Sequence, residues 1–251
     1  GKPCSKRDGA AFVGEYREQG YLPEALFNYL LLLGWNPGDD REVLTRAEMV
    51  KLFELEKVHV TAAMFDPKKL AWMNGEYIKK IPATEFRDML VRSSASEGSS
   101  SGSLGEYAVS LRPDLRDASE RIAWWDYLAA QIQVRTKFLA GLGDSIRCFV
   151  SDDFPFDEKA VEKRLRKPGV KALLLDLADR FEKVADWSAP ALEAVVKELS
   201  QGNGMGPWVH PIRVAVSGRG EGIGLFEMLQ LLGRETALAR LRTAADTLAM
   251  E

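Results

Sequence analysis

The longest apolar stretch of the chain runs from Gly20 to Trp35 and contains its own helix boundary signals. Pro23 suits the first turn of a helix, where its missing N–H would have no partner, and Gly34 suits the left-handed position just past a helix end. The pattern therefore predicts a helix over 22–33. Apolar side chains occupy nearly every face of this helix, so we expect it to be buried almost all round. About twelve residues are too few to cross a bilayer.

Capping signals mark further helices after this stretch. Thr45 and Glu48 have the spacing of a capping box, and Asp66 before Pro67 supplies an N-cap followed by a first-turn proline. The pair Asn74-Gly75 is typical of a helix end, so we expect the helix that begins at Pro67 to stop there.

Apolar repeats at three- and four-residue spacing extend over the rest of the chain. They predict helices at about 77–81, 84–91, 115–130, 132–150, 170–185, 190–199, 208–216, 225–232 and 235–248. The chain contains no paired strand pattern and no strand–helix–strand alternation. We therefore predict a mainly α protein with no Rossmann sheet, built of consecutive helical domains that end in two α-helix cages.

A segment rich in serine and glycine, 93–105, separates the two halves of the chain. Ten of its thirteen residues are serine or glycine. Such a composition buries too little area to offset chain entropy, which indicates a flexible linker and a domain boundary. With a second junction at Pro155, we divide the chain into a helical domain (1–92), the linker (93–105) and two further helical subdomains (106–155 and 156–251).

Composition and charge restrict the function only in part. The 251 residues, 46% of them apolar, suffice for one large domain or a few small ones. The formal net charge of −3 argues against wholesale electrostatic binding of nucleic acid but allows local basic patches. Two distant cysteines, Cys4 and Cys148, and two histidines, His59 and His210, favour a reducing compartment and argue against a zinc site or histidine-based catalysis.

Three short segments carry candidate chemistry. Segment 1–10 places three cations between two glycines, which suits a loop that binds an anion such as a polyphosphate; a solvated basic tail is the alternative. Segment 163–167 is the densest cationic run and could face a phosphate backbone or only solvent. Segment 217–224 alternates four glycines with other residues without the spacing of a dinucleotide fingerprint, so we interpret it as a loop that another backbone or a base can approach closely.

Several of these motifs, in this order, resemble bacterial-type glutamyl-tRNA synthetase, a class I aminoacyl-tRNA synthetase. The stretch Gly20 to Trp35, followed by Phe65 to Ile78, is similar to the segment after that family's catalytic domain. Ser5 to Ala10 resembles its KMSKS-type loop, and 207–248 resembles its C-terminal anticodon-binding domain. The resemblance covers essentially the whole chain, is weaker in the middle third, and leaves the serine-rich segment peculiar to this sequence.

The resemblance implies a ligase that uses ATP, with Mg²⁺, to join L-glutamate to tRNA(Glu). Lys6 would bind the ATP phosphates and stabilise charge in the transition state, with Ser5 and Arg7 beside it in the loop. Pro3 and Cys4 depart from the usual loop pattern. We expect the nucleotide-binding sheet and the glutamate pocket to lie outside this piece. We therefore expect a cytoplasmic, monomeric protein with no membrane contact. We expect this part of it to bind tRNA but to form no adenylate, and to hold neither ATP nor a metal by itself.

The resemblance also implies which residues read the anticodon. Arg135, in a break between two predicted helices, falls where the family has an arginine against the third base. A guanidinium offers only donors, which suit the O2 and N3 acceptors of cytosine and clash with the N1–H and N2–H₂ donors of guanine, and this is the base that distinguishes glutamate from glutamine tRNAs. The other implied contacts are His210 and Arg213 at the middle base and Gly222, Ile223 and Leu225 at the first base.

Other interpretations stay open at this point. A helical protein-interaction scaffold, whose basic runs are only solvated charge, is what composition alone favours. A non-discriminating synthetase that also charges tRNA(Gln) is a second alternative, and a paralogue acting on another acceptor is disfavoured because such relatives generally lack this C-terminal region. Arg135 itself could merely cap a helix or pair with a carboxylate.

Overall fold

The computed structural model describes residues 12–59, 64–94, 115 and 117–249. Within these ranges the chain forms thirteen α-helices and one short 3₁₀ helix (Leu55–Lys57), with no strand, so the predicted mainly α class is confirmed. In chain order the helices are α1 (Val13–Glu18), α2 (Pro23–Leu32), α3 (Arg46–Leu52), α4 (Pro67–Ile78), α5 (Ala83–Ser93), α6 (Ala118–Gln133), α7 (Leu142–Val150), α8 (Glu158–Arg164), α9 (Val170–Glu182), α10 (Ala189–Ser200), α11 (Gly206–Ser217), α12 (Leu225–Leu232) and α13 (Arg234–Thr247).

Helix α2 forms as the apolar pattern predicts, but two details of that prediction are wrong. Its end tightens into hydrogen bonds of the 3₁₀ type, from Gly34 N to the Leu31 carbonyl at 3.3 Å, so Gly34 does not take the left-handed conformation. The helix is also not buried all round, because Phe27 and Leu30 keep 50% and 49% of their surface exposed. Helices α3 and α4 pack against α2 and leave this part of its surface uncovered within the described residues.

Two small cores hold the N-terminal helices together. Leu26 and Tyr29 of α2 pack against Leu70 and Met73 of α4. Trp35, Leu44 and Met49 form a neighbouring cluster beneath α3. The predicted capping box of α3 is present, since the Thr45 hydroxyl accepts from Glu48 N and the Glu48 carboxylate accepts from Thr45 N. The predicted N-cap at Asp66 is present as well.

One large apolar core extends from Ile78 to Ala245 and includes the buried faces of α5 through α13. Helices α9 and α13 pack along each other, and α5 packs against both α6 and α7. Phe86, Leu90 and Val91 of α5 therefore share a core with Trp125 and Leu128 of α6. The packing thus joins helices from both sides of the serine-rich segment, most of which lies outside the described residues.

Helix α4 continues through Asn74 and Gly75 to Ile78, so the predicted helix stop at this pair is wrong. Asn74 is fully buried, and its side-chain amide binds three backbones: its Oδ1 accepts from Leu22 N at 2.8 Å, and its Nδ2 donates to the carbonyls of Lys137 at 2.6 Å and Gly20 at 3.3 Å. A Cβ on Gly75 would lie 3.4 Å from the Thr136 carbonyl. The pair therefore serves close packing against the chain that follows α6.

The segment 134–141, which we call the α6–α7 loop, is fixed against the N-terminal helices at a second point. Gly20 has a positive φ of 83°, and its carbonyl accepts from Leu139 N at 3.0 Å. The rings of Tyr21 and Phe138 meet edge to face with 5.0 Å between centroids. The conformation of this loop consequently depends on residues more than one hundred positions earlier in the chain.

Candidate nucleic-acid interface

The α6–α7 loop starts where a well-defined helix ends. The side chain of Asp117 caps the start of α6, and Trp125 and Leu128 bury the helix in the large core. At its end, the Gln133 amide donates to the carbonyls of Ile78 and Ile81 at 2.9 and 2.8 Å. The predicted break at Arg135 is present, although it is longer than expected because the next helix begins only at Leu142.

Arg135 is exposed at the start of this loop. Its Nη1 donates to the Gln131 carbonyl at 3.1 Å, which is a contact with the last turn of α6. Arg135 therefore does cap the end of α6 in the free chain, as the alternative interpretation predicted. It uses one guanidinium nitrogen, and no carboxylate within the described ranges pairs with Arg135, so the remaining N–H groups are available to a ligand.

The α6–α7 loop, helix α7 and the glycine-rich segment 217–224 enclose an open cavity of about 560 Å³. Its walls are partly apolar, from Leu142 and Phe149, and partly charged, from Arg135 together with Lys137, Arg219 and Glu221. A concave site with apolar walls and a few directed polar groups is the usual form of a small-ligand or base pocket. Three cations against one carboxylate favour an electron-rich ligand.

The glycine-rich segment approaches other chain segments as closely as its composition predicts. Gly218, at φ 71°, follows the last residue of α11, and a Cβ at this position would lie 2.5 Å from the Pro155 carbonyl. The Gly218 carbonyl accepts from Asp157 N at 2.8 Å. Gly222 is exposed at the cavity rim and has a φ of 151°, which favours glycine.

Arg213 lies behind the glycine-rich segment and holds its backbone. Its Nη1 donates to the Ile223 carbonyl at 2.6 Å. Burial lowers the pKa of Arg213, the nearby Arg135 lowers it further, and Glu227 opposes both effects. Arg213 therefore supports the cavity wall, and its charge lies close enough to that of Arg135 to reinforce the positive potential there.

The sequence-predicted anticodon residues do not all line one cavity. Arg135, Gly222 and Ile223 line it, Arg213 supports it, and His210 and Leu225 lie outside its lining. Ile223 and Leu225 are only 2% and 4% exposed, so both residues belong to the core and neither offers a ligand much surface. Ser5, Lys6 and Arg7 of the predicted ATP-binding loop lie outside the described residues.

The cavity-lining residues that sequence reasoning missed include Lys137, Phe138 and Arg219. Lys137 follows Arg135 by two positions in the same loop, and Arg219 interrupts the glycine-rich segment. Lys137 and Arg219 could have been found from the sequence, because each is a cation next to a residue or segment that the sequence analysis had selected. Cys148 is a buried free thiol in the same lining, and burial raises its pKa to about 11.

His210 lies half-buried on α11, among cations. Burial lowers its pKa below the ordinary value, and the charges of Arg164, Arg213 and Lys163 lower it further. We predict that the double substitution Lys163→Ala/Arg164→Ala raises the pKa of His210, because two of the charges that disfavour imidazolium are removed. An NMR titration measures this directly, with His59→Gln in both proteins to leave one histidine signal. An unchanged pKa would mean that these cations lie too far from α11 to affect it.

The described residues contain neither a metal-binding cluster nor a membrane-spanning helix. No group of three or more histidine, cysteine, aspartate or glutamate side chains within these ranges is placed to hold a metal ion. Among the helices that the structure describes, none combines the length and apolarity needed to cross a membrane.

The fold and the cavity define a class of protein, and comparison with protein families identifies it. Residues 102–245, more than half of the chain, match the family described as "Anticodon binding domain", so the chain belongs to that family. Residues 1–72 match the family described as "tRNA synthetases class I (E and Q), catalytic domain". The resemblance to glutamyl-tRNA synthetases that the sequence motifs indicate is thereby confirmed.

The chain is similar to curated glutamate–tRNA ligases. It is 37% identical over 243 residues to that of Moorella thermoacetica and 38% identical over 248 residues to that of Thermobifida fusca. These alignments cover 96% and 97% of this chain but 47% and 49% of the relatives, so the chain spans about half their length. Its fold is similar to a crystal structure of a glutamate tRNA ligase from Elizabethkingia meningosepticum in complex with its amino acid, with a TM-score of 0.69 and 25% identity over 93% of this chain and 43% of that one.

Proposed function

We propose that this chain is the tRNA-binding part of a glutamate–tRNA ligase and that it reads the anticodon at the cavity beside Arg135. The observation that carries the proposal is the placement of the Arg135 guanidinium, exposed and largely unpaired, at a cavity within the anticodon-binding family match. The complete ligase would convert ATP, L-glutamate and tRNA(Glu) to glutamyl-tRNA, AMP and pyrophosphate. We place it in the cytoplasm as a monomer.

Each predicted anticodon residue has a role that its surroundings support. Arg135 would bind the third base, because its free N–H groups match the acceptors of cytosine. Gly222 would let the first base approach the backbone, with Ile223 and Leu225 anchoring that segment in the core. Arg213 would act on the middle base through the wall it supports, and His210 would face that base from α11.

The remaining proposals concern ATP binding and the domain limits, which do not involve the cavity. Class I synthetase relatives support the use of ATP, and we propose that Mg²⁺ accompanies it in the complete ligase. Lys6 would bind the ATP phosphates, with Ser5 and Arg7 in the same loop. We also propose the domain limits 1–92, 106–155 and 156–251, with 93–105 as the linker between the first two. Helix α5, at the end of the first domain, packs against α6 and α7 of the next.

Binding of purified tRNAs tests the proposal. We expect the chain to bind tRNA(Glu) more tightly than tRNA(Gln) in a mobility-shift or fluorescence-anisotropy titration, and to lose affinity steeply as salt rises, since phosphate contacts release counterions. A helical scaffold would bind neither tRNA, and a non-discriminating synthetase would bind both equally. Either result would overturn the corresponding part of the proposal.

A further inference from the structure

The cationic run 163–167 separates into residues with different surroundings. Leu165 is completely buried in the large core. Arg166 is already paired, because its Nη1 contacts the carboxylates of Glu158 at 2.5 Å and Glu162 at 3.1 Å. Lys163 and Arg164, in the last turn of α8, have no carboxylate partner among the residues that the structure describes. Lys167, just past the helix, also has no carboxylate partner within the described ranges, so the two unpaired charges on α8 itself are those of Lys163 and Arg164.

Helix α8 holds these two charges in a fixed place. Ala160 and Val161 bury one side of α8, and the helix packs against α11, which carries His210 and Arg213. Asp157, the N-cap of α8, donates its backbone N–H to the Gly218 carbonyl at 2.8 Å, so the start of α8 is joined to the glycine-rich segment. The end of α8 accordingly lies beside the same helix that supports the cavity.

The positive charges continue from α8 toward the cavity. Lys163 and Arg164 both act on His210, Arg213 follows one turn later on α11, and Arg213 in turn lies within electrostatic range of Arg135. The carboxylates near this line are few: Glu158 and Glu162 are engaged by Arg166, Glu227 acts on Arg213, and Glu221 stands at the cavity rim. The surface is locally cationic in a chain whose net charge is −3.

We propose that Lys163 and Arg164 bind the sugar–phosphate backbone of the RNA strand whose bases enter the cavity at Arg135. This inference rests on the proposed function and adds a second, sequence-independent contact surface to it. Contacts of this kind fix the position of a strand and carry no base information, whereas the cavity contacts distinguish bases. A strand whose phosphates are bound at the end of α8 would leave its bases free to enter the cavity.

A competing explanation assigns these cations to the helix alone, because basic residues in the last turn stabilise a helix through its dipole. The control for this explanation is the double substitution Lys183→Ala/Lys197→Ala. Both control lysines are exposed, Lys183 is the C-cap of α9 and Lys197 lies in the last turn of α10, and neither contributes to the pKa shifts of His210 or Arg213. The control removes the same total charge from the C-terminal ends of two other helices.

The experiment measures the affinity of the complete 251-residue chain for tRNA(Glu) and tRNA(Gln) transcripts at several salt concentrations. We expect Lys163→Ala/Arg164→Ala to weaken both complexes by the same factor and to reduce the slope of log affinity against log salt by about 1.4, at roughly 0.7 per phosphate contact on a single strand. The preference between the two tRNAs should stay at its starting value. The reciprocal pair Lys163→Arg/Arg164→Lys, which keeps both charges, should restore affinity and slope.

Other outcomes separate failure of this inference from failure of the proposed function. If the unmodified chain discriminates the tRNAs but the double variant matches the Lys183/Lys197 control, the α8 cations are structural and the cavity proposal stands. If the double variant changes the preference between the tRNAs, these residues read bases and the backbone assignment is wrong. If the unmodified chain binds no tRNA at all, both proposals fail.

Discussion

Gly20→Ala is expected to lower the free energy of unfolding by about 3 kcal/mol or more, since it combines left-handed strain with overpacking. Gly20 has a φ of 83°, where an L side chain is strained, and a Cβ there would lie 2.1 Å from Ala140 N and 2.5 Å from Leu139 N. Both neighbours are backbone atoms, so no rotamer change can relieve the overlap. The α6–α7 loop would have to move away from the N-terminal helices.

Gly38→Ala is the matched control for this substitution. Gly38 has a similar φ of 92°, but nothing lies within 4 Å of the position of its Cβ. It therefore measures backbone strain alone, and we expect a cost of about 1 kcal/mol, because alanine also reduces the entropy of the unfolded chain. Denaturant unfolding followed by circular dichroism compares the two variants. Equal losses of stability would mean that the contact between Gly20 and the loop is not tight.

Arg135→Gln should narrow the preference of the chain for tRNA(Glu) over tRNA(Gln) by about tenfold or more, 1.4 kcal/mol being one decade. Glutamine is uncharged, and its amide presents either a donor or an acceptor, so it accepts guanine as well as cytosine. We expect the affinity for tRNA(Glu) to fall while that for tRNA(Gln) falls less or rises. A good base contact discriminates by roughly 1 to 3 kcal/mol, which sets the size of this effect.

The control for this prediction is Arg92→Gln, which changes an exposed arginine in the last turn of α5 that does not line the cavity. Dissociation constants for both tRNAs at one salt concentration give the preference directly. Equal losses for the two tRNAs would show that Arg135 touches only the backbone of the RNA. No loss at all would leave the contact with the Gln131 carbonyl as its sole role.

The elements that sequence signals located well are those whose causes are local. Helix α12 has the predicted bounds, and α10 and α13 differ from theirs by one residue at each end, because apolar spacing and flanking glycine or proline act within a few residues. The capping box at Thr45 is local for the same reason. Most helices could therefore be read from the chain alone. The exceptions are α1 and α8, which the pattern did not predict, and the predicted helix at 77–81, which is only the end of α4 and the turn after it.

The features that could not be read from the sequence depend on distant neighbours. The Asn74-Gly75 pair has the composition of a helix stop, yet it continues α4 because Lys137 and Thr136, more than sixty residues later, pack against it. The exposed side of α2 could not be predicted either, because apolar spacing does not show which distant element covers each face of a helix. The residues of run 163–167 likewise differ in being buried, paired or free because of where α11 and the carboxylates of α8 lie in the folded chain, which the sequence does not show.

The buried thiol of Cys148 allows opening of the candidate cavity to be followed by chemical labelling. At pH 7 this group is almost entirely protonated, because its pKa is about 11, and the thiolate is the form that reacts with alkylating reagents. Because Cys148 is also buried, its labelling in a Cys4→Ser background requires a fluctuation that separates the cavity walls and exposes the sulfur to water. The rate of alkylation measures how often the walls around Arg135 separate, and a ligand that fills this space slows the reaction without any dye or tag on the protein.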